Sequence, residues 1–358
     1  MALTADVAVV GAGIIGLCTS VSLARRGISV VLVGTAKTGE ASPAAAGMLA
    51  PSVERATGPA HDFATAARDS YPDWIALLFS ETGIPVPLNR MGVLQVALSD
   101  KGVKGLRKAP SPSTEWLDQD ALRRIEPALG HAMGAVFNPG DGAVDNVALL
   151  RALSRFASIS RHITRVEGFV TAVTSSAGRQ SLRLASGETL EAGRVVLAPG
   201  AWGAALAESA PCLQAVVPLR GQLVAFGPIG LRHVVYGPRG YLVPREQSLL
   251  IAGSTMENAG FDAGTTPDGI ARVRSAAEEI APSLATAPVT SIWAGLRPVT
   301  PDMLPLLGPD PANPSLIYAC GHSRNGILLA PLTGEVVASL VEGTPVNHDL
   351  TQFRPGRF

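Results

Sequence analysis

The first residues able to do chemistry form a glycine-rich segment near the N-terminus, Gly11-Ala-Gly13-Ile-Ile-Gly16. Gly11 permits a tight turn, Gly13 lets main chain approach a pyrophosphate, and Gly16 allows a helix to pack closely on a strand. The segment follows an apolar run and opens a helical pattern, as the G-x-G-x-x-G fingerprint requires. We expect Gly11, Gly13, Ile14, Ile15 and Gly16 to bind a dinucleotide, with a merely structural turn as the alternative.

The usual acidic partner of this fingerprint is missing. An Asp or Glu commonly stands about 20 residues further on, at the end of the second strand, and binds ribose hydroxyls. Gly34 occupies that place in this chain. Thr35, Lys37 or main chain could substitute for the missing carboxylate.

Two further segments could contact the reactive ring of such a cofactor. Residues 41–51 are rich in Ala and Gly, so a flat ring system could lie against their main chain, although a loop that merely avoids bulk is the alternative. Residues 321–331 form a Gly-bounded turn that leads into a helix. The N-terminus of that helix could stabilise negative charge on a reduced flavin.

The composition limits the class of protein. The 358 residues are 47% hydrophobic and 16% charged, which is enough for a large core or two merged ones. Lys+Arg and Asp+Glu both number 29, so no net field recruits nucleic acid or an anionic membrane. Small uncharged or zwitterionic partners fit this balance better.

The cysteines and the apolar runs indicate a cytoplasmic address. Cys18, Cys212 and Cys320 lack a C-x-x-C spacing, which argues against a disulfide framework or a metal site, and we expect three buried thiols. Residues 7–24 resemble a signal-peptide core, but Asp6 and the absence of a preceding basic region argue against one. No uncharged apolar run reaches the roughly 18 residues that a membrane span requires.

The elements that position these segments begin with a βαβ pattern. Short, continuous apolar runs ending near glycine are typical of strands buried in a parallel sheet. The predicted strands of this kind are residues 6–10, 28–33, 194–200 and 316–320, and the predicted helices are residues 14–26 and 326–341, the latter despite Pro331. A nucleotide-binding sheet is therefore left and revisited along the chain.

The intervening segments have a different pattern. Short strands separated by turns, typical of an antiparallel sheet, are predicted at residues 91–98, 216–226, 241–243 and 249–252. The Pro-rich segments 85–87 and 110–112 predict loops or boundaries. The chain is thus predicted to be an α/β protein with an α+β region inserted in two pieces.

Several segments, taken in order, resemble the glycine oxidase and D-amino-acid oxidase family of FAD-dependent oxidoreductases, and are similar above all to its glycine oxidases. The resemblance covers nearly the whole chain. Its most specific motifs are residues 44–49, 295–298 and 321–331, and residues 218–222, 241–245 and 253–256 are also similar to the family.

The resemblance implies a Rossmann-like FAD-binding domain with an inserted antiparallel-sheet α+β substrate domain. The FAD-binding domain is expected at residues 1–84, 142–212 and 294–358, and the substrate domain at residues 85–141 and 213–293. FAD is expected to bind non-covalently. A homo-oligomer is also implied.

The resemblance implies four residues at the reacting end. Arg297 is expected to bind the substrate carboxylate, since a guanidinium meets a carboxylate with two hydrogen bonds and would be costly to bury without an anion; a surface loop arginine is the alternative. Tyr241 matches the active-site tyrosine, with a core strand tyrosine as the alternative. Met256 matches a flavin or substrate contact, or is plain packing. Arg324 matches an arginine near substrate or flavin, or begins a helix.

The resemblance also implies the cofactor contacts. These are expected at Ala44, Ala45, Ala46, Gly47, Met48, Leu49, Val170, Gly200, His322, Arg324, Asn325, Gly326 and Ile327. His322 could be a base, although the matching turn of the family uses its main chain. A family histidine is replaced by Arg239, whose charge could admit larger or more acidic substrates.

The implied reaction oxidises glycine or another small amino acid or amine, such as sarcosine, D-alanine or D-proline. A hydride passes from the α-carbon to flavin N5, the imine is hydrolysed, and O2 is reduced to H2O2. The resemblance also makes thiamine biosynthesis a possible pathway. Two alternatives remain: a dehydrogenase that uses a quinone or protein acceptor, and a nucleotide-binding module without turnover.

Overall fold

The computed structural model describes residues 3–54, 56–108, 113–176, 178–246 and 249–358. The strands are β1 (Leu3–Val10), β2 (Val30–Gly34), β3 (Met48–Leu49), β4 (Leu88–Asn89), β5 (Val93–Ala97), β6 (Glu115–Asp118), β7 (Gly134–Asn138), β8 (Gly142–Val144), β9 (Ile163–Glu167), β10 (Val170–Ser176), β11 (Arg179–Leu184), β12 (Thr189–Leu197), β13 (Val217–Phe226), β14 (Val234–Tyr236), β15 (Tyr241–Arg245), β16 (Leu249–Gly253), β17 (Val289–Val299), β18 (Leu306–Pro309) and β19 (Leu316–Cys320).

Helices cover the sheets and connect their strands. The α-helices are α1 (Ile14–Arg25), α2 (Ala41–Ala44), α3 (Pro59–Asp69), α4 (Tyr71–Thr82), α5 (Asp100–Arg107), α6 (Gln119–Ile125), α7 (Asn146–Ile159), α8 (Pro267–Ile280) and α9 (Gly326–Glu342). Short 3₁₀ turns lie at Pro51–Val53, Pro127–Leu129, Gly200–Leu206, Pro211–Ala215, Pro282–Ala285 and Thr351–Phe353.

The first large sheet has a parallel centre. Strand β1 lies between β2 and β12, and all three run in the same direction, with β9 and β19 continuing the parallel pairing. Strands β10, β11 and β18 add antiparallel pairs at the margins. All four strands predicted from continuous apolar runs belong to this sheet, because such runs are buried on both faces.

Helix α9 packs beside α1 on this sheet and contains Pro331 in its interior. A proline has no N–H, so the carbonyl of Ile327, four residues earlier, loses its normal helical partner. The hydroxyl of the buried Tyr71 donates a hydrogen bond to that carbonyl. A side chain from α4 therefore compensates for the proline, and the helix predicted over residues 326–341 forms.

The second large sheet has the order β17-β13-β16-β15-β14-β5-β7-β6. Its neighbours pair antiparallel, except for the parallel pair β5 and β14. The short strands predicted from residues 91–98, 216–226, 241–243 and 249–252 all belong to it. Apolar residues of this sheet and of α8 form one buried cluster. The predicted α/β fold class with a second, largely antiparallel sheet is confirmed.

Strand β17 joins the two parts of the molecule. It pairs with β13 from Val289 to Val299, and Leu296 also bridges Glu40, in the segment that follows β2. The predicted domain boundary between residues 293 and 294 falls inside this strand. We propose that the boundary lies after Val299, with the other predicted divisions unchanged.

The three cysteines differ in burial. Cys18 and Cys320 are buried, but Cys212 is only half-buried. The expectation of three buried thiols is therefore wrong for Cys212, which lies in a short 3₁₀ turn.

The two Pro-rich segments were predicted to be loops or boundaries. Residues 85–87 lie outside helices and strands, and residues 110–112 lie outside the described residues. Among the described residues, no helix combines the length and apolar character needed to traverse a bilayer. In the same part of the chain, no cluster of His, Cys, Asp and Glu suits a metal ion.

Candidate active site

A cavity of about 370 Å³ is lined by residues of both large sheets. Its volume lies in the range of sites for small molecules and cofactors. The first sheet contributes the carboxyl ends of β1 and β2, and the second contributes β15 and β17. The site is therefore assembled where the two sheets meet.

The phosphate loop is shaped by two positions that accept only glycine. At Gly11, where φ is +107°, an added Cβ would lie 2.1 Å from the carbonyl oxygen of Ala198. At Gly16, an added Cβ would lie 1.7 Å from the carbonyl oxygen of Gly11. Gly16 therefore supports the loop from beneath and lies outside the cavity lining, whereas Gly11, Gly13, Ile14 and Ile15 line it.

Gly13 is the N-cap of α1 and faces the cavity. An added Cβ there would meet only the Ser42 hydroxyl oxygen, at 3.3 Å, among the described residues. The first turn of α1 is thus open to an anionic ligand, and its main chain offers N–H groups and positive partial charge.

The place of the missing ribose-binding acid is filled by main chain and a lysine. A Cβ at Gly34 would lie 2.6 Å from the Cβ of Ala12, so the phosphate loop itself occupies the space of a side chain. Lys37 Nζ lies 3.6 Å from the centroid of the Phe169 ring and 5.1 Å from that of Trp202. All five residues line the cavity, and so does Thr35, so both side chains that could substitute for the carboxylate are present here.

Small residues and the Gly-bounded turn form the wall at the other predicted cofactor contacts. The lining includes Ala44, Ala45, Ala46, Gly47, Met48, Val170, Gly200, His322, Arg324, Asn325, Gly326 and Ile327. Leu49, the last residue of β3, lies outside the lining, because its side chain is buried in the core. Helix α9 begins at Gly326, so its N-terminal amides also lie at this wall.

The side chain of His322 is poorly suited to proton transfer. Its Nε2 lies 3.1 Å from the Thr333 hydroxyl inside α9, and the side chain is buried. Burial lowers the pKa of His322 to about 3. A neutral, weakly basic imidazole in this position fits the expectation that the turn contributes main chain instead.

These features together fit FAD. One cavity joins a glycine-only phosphate loop at a helix N-terminus, an aromatic wall beside the cation Lys37, and a second helix N-terminus beside small side chains. The phosphate loop would hold the pyrophosphate, and the turn before α9 would face the ring system.

Arg297, on β17, is held by neutral oxygen atoms. Its guanidinium lies against Gly221, where a Cβ would be 2.1 Å from Nη1, and it donates hydrogen bonds to the Thr255 carbonyl (3.1 Å) and the Ser254 hydroxyl (2.5 Å). None of the ion pairs found among the described residues involves Arg297. Burial lowers the pKa of this guanidinium. Arg297 is half-buried, and a cation so enclosed without an anion is unfavourable unless a ligand supplies one.

Tyr241 lines the same cavity as Arg297 and Arg324. It begins β15, and its hydroxyl lies over Gly253, where a Cβ would be 2.4 Å away. After the main effect of burial on the pKa of Arg297, Tyr241 raises that pKa and Arg324 lowers it. Tyr241 also raises the pKa of Arg324, so the three side chains share one electrostatic environment.

Arg324 differs from Arg297 because it has a carboxylate partner. Its Nη2 lies 3.1 Å from Glu54 Oε1 and donates to the Tyr236 hydroxyl at 3.0 Å. Burial alone would lower the pKa of Arg324, but Glu54 and Tyr236 raise it above its ordinary value. Burial raises the pKa of Glu54, and the charge of Arg324 opposes that rise.

The two remaining predicted positions lie at the margin of the cavity. Met256 lines it with 52% of its surface exposed. The guanidinium of Arg239 pairs with Glu279 at 2.6 Å and contacts Ser275, both on α8. That pairing draws the charge away from Arg297, so the geometry gives no support to Arg239 as a determinant of acidic substrates.

Sequence reasoning missed Glu54, Tyr236, Phe169 and Trp202, and it named the segment 253–256 without singling out Ser254. None of the four missed residues belongs to a spaced motif. Of these residues, Glu54 is the one that the sequence could have indicated, because it is a charged residue that closely follows the small-residue segment 41–51.

Comparison with known proteins identifies the class. Residues 6–340 match the DAO family of FAD-dependent oxidoreductases, and the chain belongs to this family. The predicted family resemblance and FAD as the cofactor are thereby confirmed.

Named relatives agree with this class. The chain is 36% identical over 374 residues to the bifunctional protein ThiO/ThiG of Synechocystis sp., across 100% of this chain and 55% of that protein. It is 33% identical over 347 residues to a glycine oxidase of Bacillus licheniformis, across 95% and 94% of the two chains. The crystal structure of glycine oxidase from Geobacillus kaustophilus matches with a TM-score of 0.92 and 33% identity, across 99% of each chain. The chain thus spans about half the length of the ThiO/ThiG relatives.

Proposed function

We propose that this protein is an FAD-dependent oxidase of glycine and other small amino acids or amines, among them sarcosine, D-alanine and D-proline. The observation that carries the proposal is the half-buried guanidinium of Arg297, which lines the cavity and is held by neutral oxygens without a carboxylate partner among the described residues. A substrate carboxylate would supply the missing anion through two parallel hydrogen bonds. The glycine oxidases among its relatives support the same substrate class.

The roles of the neighbouring residues follow from their positions. Tyr241 would donate its hydroxyl to the same carboxylate or close the site. Arg324 and Met256 would border the substrate, and Met48 would limit its size at the small-residue wall. These contacts fix the α-carbon in one orientation, which is the main contribution that the protein makes to hydride transfer.

No side chain is required as a base. FAD, when bound, supplies two-electron acceptance from a C–H bond and reoxidation by O2, which forms H2O2. The substrate nitrogen, entering as a neutral amine, supplies the electron pair of the new C=N bond. Water then hydrolyses the imine to an oxo acid and ammonia or an amine. The buried, neutral His322 takes no part.

We also propose non-covalent FAD, since burial raises the pKa of the Cys320 thiol at the cavity wall and so disfavours the thiolate that would attack the cofactor. A cytoplasmic address and a homo-oligomer remain proposals, supported by the charge balance and by the family resemblance. The ThiO/ThiG relatives support a role in thiamine biosynthesis.

The test is an absorption spectrum of the purified protein, followed by anaerobic addition of glycine, sarcosine or D-alanine. We expect a two-band flavin spectrum that one of these substrates bleaches, with recovery and H2O2 formation when air is admitted. Bleaching without rapid recovery would indicate the dehydrogenase alternative. A colourless protein that cannot be loaded with FAD would contradict the proposal.

A further inference from the structure

The cavity contains a second cation whose charge is already matched. Arg324 lies in the turn before α9, Glu54 follows the 3₁₀ turn Pro51–Val53, and Tyr236 ends β14. These three segments meet at the cavity wall, where Glu54 Oε1 is 3.1 Å and Tyr236 Oη is 3.0 Å from Arg324 Nη2. The carboxylate is the more enclosed partner, because the Glu54 side chain is 16% exposed and that of Arg324 is 31% exposed.

The charge of Arg324 matters to a ligand of Arg297. Arg297 and Arg324 both line the cavity. Without Glu54, which pairs with Arg324 at 3.1 Å, the cavity would present two positive charges to a ligand. A ligand with two carboxylates would then satisfy both, whereas a ligand with one carboxylate would leave Arg324 unmatched.

We propose, on the basis of the proposed function, that Glu54 is a specificity-determining residue that pairs with Arg324 and thereby selects amino acids with a single carboxylate. In the native cavity, a second carboxylate that approaches Arg324 would have to displace Glu54 or lie beside it. Two carboxylates that share one arginine repel each other. Removal of the Glu54 charge turns Arg324 into a receptor for the second carboxylate.

The test compares two substrates that differ by one carboxylate, sarcosine and iminodiacetate, which are N-methylglycine and N-carboxymethylglycine. We expect Glu54→Gln in the holoenzyme to raise the ratio of kcat/KM for iminodiacetate over sarcosine by about tenfold or more, the size of one added charge-assisted hydrogen bond. The double variant Glu54→Gln/Arg324→Gln should lose this gain, since the receptor is gone.

Glu278→Gln is the matched control. It frees Arg274, an arginine outside the cavity lining, from its carboxylate partner. The substrate ratio should stay at the native value in this variant. A ratio that rises equally in Glu278→Gln and Glu54→Gln would overturn the assignment of the effect to Arg324.

A binding measurement separates this inference from the proposed function. Oxydiacetate and methoxyacetate differ by one carboxylate and carry no oxidisable amine, and their affinities are read from the perturbation of the flavin spectrum. Glu54→Gln, or Glu54→Ser if the first variant does not fold, should bind oxydiacetate about tenfold more tightly relative to methoxyacetate. An unchanged preference would overturn the inference even if glycine is oxidised, and failure of every amino acid to reduce the flavin would instead overturn the proposed function.

Discussion

Two regions of the cavity offer a ligand different physical means of binding. The phosphate loop, residues 11–16, uses main chain, and its shape depends on positions where a Cβ would overlap a neighbouring carbonyl. The region around Arg297 uses side-chain charge, brought together from β17, from the turn before α9 and from the segment that contains Glu54. A substitution that changes the shape of the main chain's surroundings should therefore weaken ligand binding at the first region. A substitution that changes a charge should weaken it at the second.

The largest expected effect is on the main-chain region. Gly13→Val places two methyl groups over the N-terminus of α1, where a pyrophosphate must approach, and the nearest described protein atom to its Cβ is the adjustable Ser42 hydroxyl. We expect the dissociation constant for FAD to rise by a factor of roughly 100 or more, on the scale of losing several charge-assisted hydrogen bonds. The measurement is titration of the apoprotein with FAD, followed by flavin fluorescence.

The control for this variant is Gly105→Val. Gly105 lies in α5, and a Cβ there meets no described atom within 4 Å. Circular dichroism should show both variants folded. A Gly13→Val protein that purifies with a full complement of FAD would refute the phosphate-loop interpretation.

A smaller effect is expected where a side chain assists the main-chain region. Lys37→Met keeps the length of the side chain but removes the cation beside Phe169 and Trp202. We expect FAD affinity to fall by roughly two- to twelvefold, because the variant would lose a hydrogen bond from Lys37 to the ribose, which is typically worth about 0.5–1.5 kcal/mol. The same titration checks this, with Lys101→Met on the exposed surface of α5 as the control. Equal affinities in the two variants would mean that Gly34 has no side-chain substitute.

The smallest effect concerns stability and pH. The pKa of His322 is lowered to about 3 from an ordinary value of 6.5, so the unfolded chain takes up a proton as pH falls through 6.5 while the folded chain does not. The neutral imidazole thus contributes stability that is complete above pH 6.5 and decreases below it.

The corresponding variant is His322→Asn, compared by urea unfolding at pH 7 and pH 5.5. The native protein should lose about 1 kcal/mol more than the variant over this interval. His131→Asn, at an exposed histidine, is the control and should follow the native protein. A variant whose loss equals that of the native protein would show that His322 titrates normally.

The same contrast explains how much could be predicted from the sequence. The phosphate loop and the strands β1, β2, β12 and β19 depend on local patterns, and all were predicted within a few residues. Strand β17 was not predicted, because a segment containing Trp293, Gly295 and Pro298 has no regular alternation and becomes a strand only by pairing with β13.

The charge partners could not be predicted for a related reason. Glu54 and Arg324 are separated by most of the chain, and their contact exists only because the two sheets close around one cavity. The positions of Arg297 and Tyr241 came from the family resemblance. What the resemblance did not contain is that one arginine has a carboxylate partner while the other is held by neutral oxygens.

The most direct test of the central claim is a comparison of glycine with glycinamide, which lacks the carboxylate charge, in the native enzyme and in Arg297→Met. The half-saturating concentration for anaerobic flavin reduction is measured for each. We expect the native enzyme to favour glycine, and Arg297→Met to lose that preference by roughly 30- to 1000-fold, equivalent to about 2–4 kcal/mol for a buried charge-assisted pair, while FAD remains bound. An Arg297→Met enzyme that still favours glycine over glycinamide to the native extent would contradict the account.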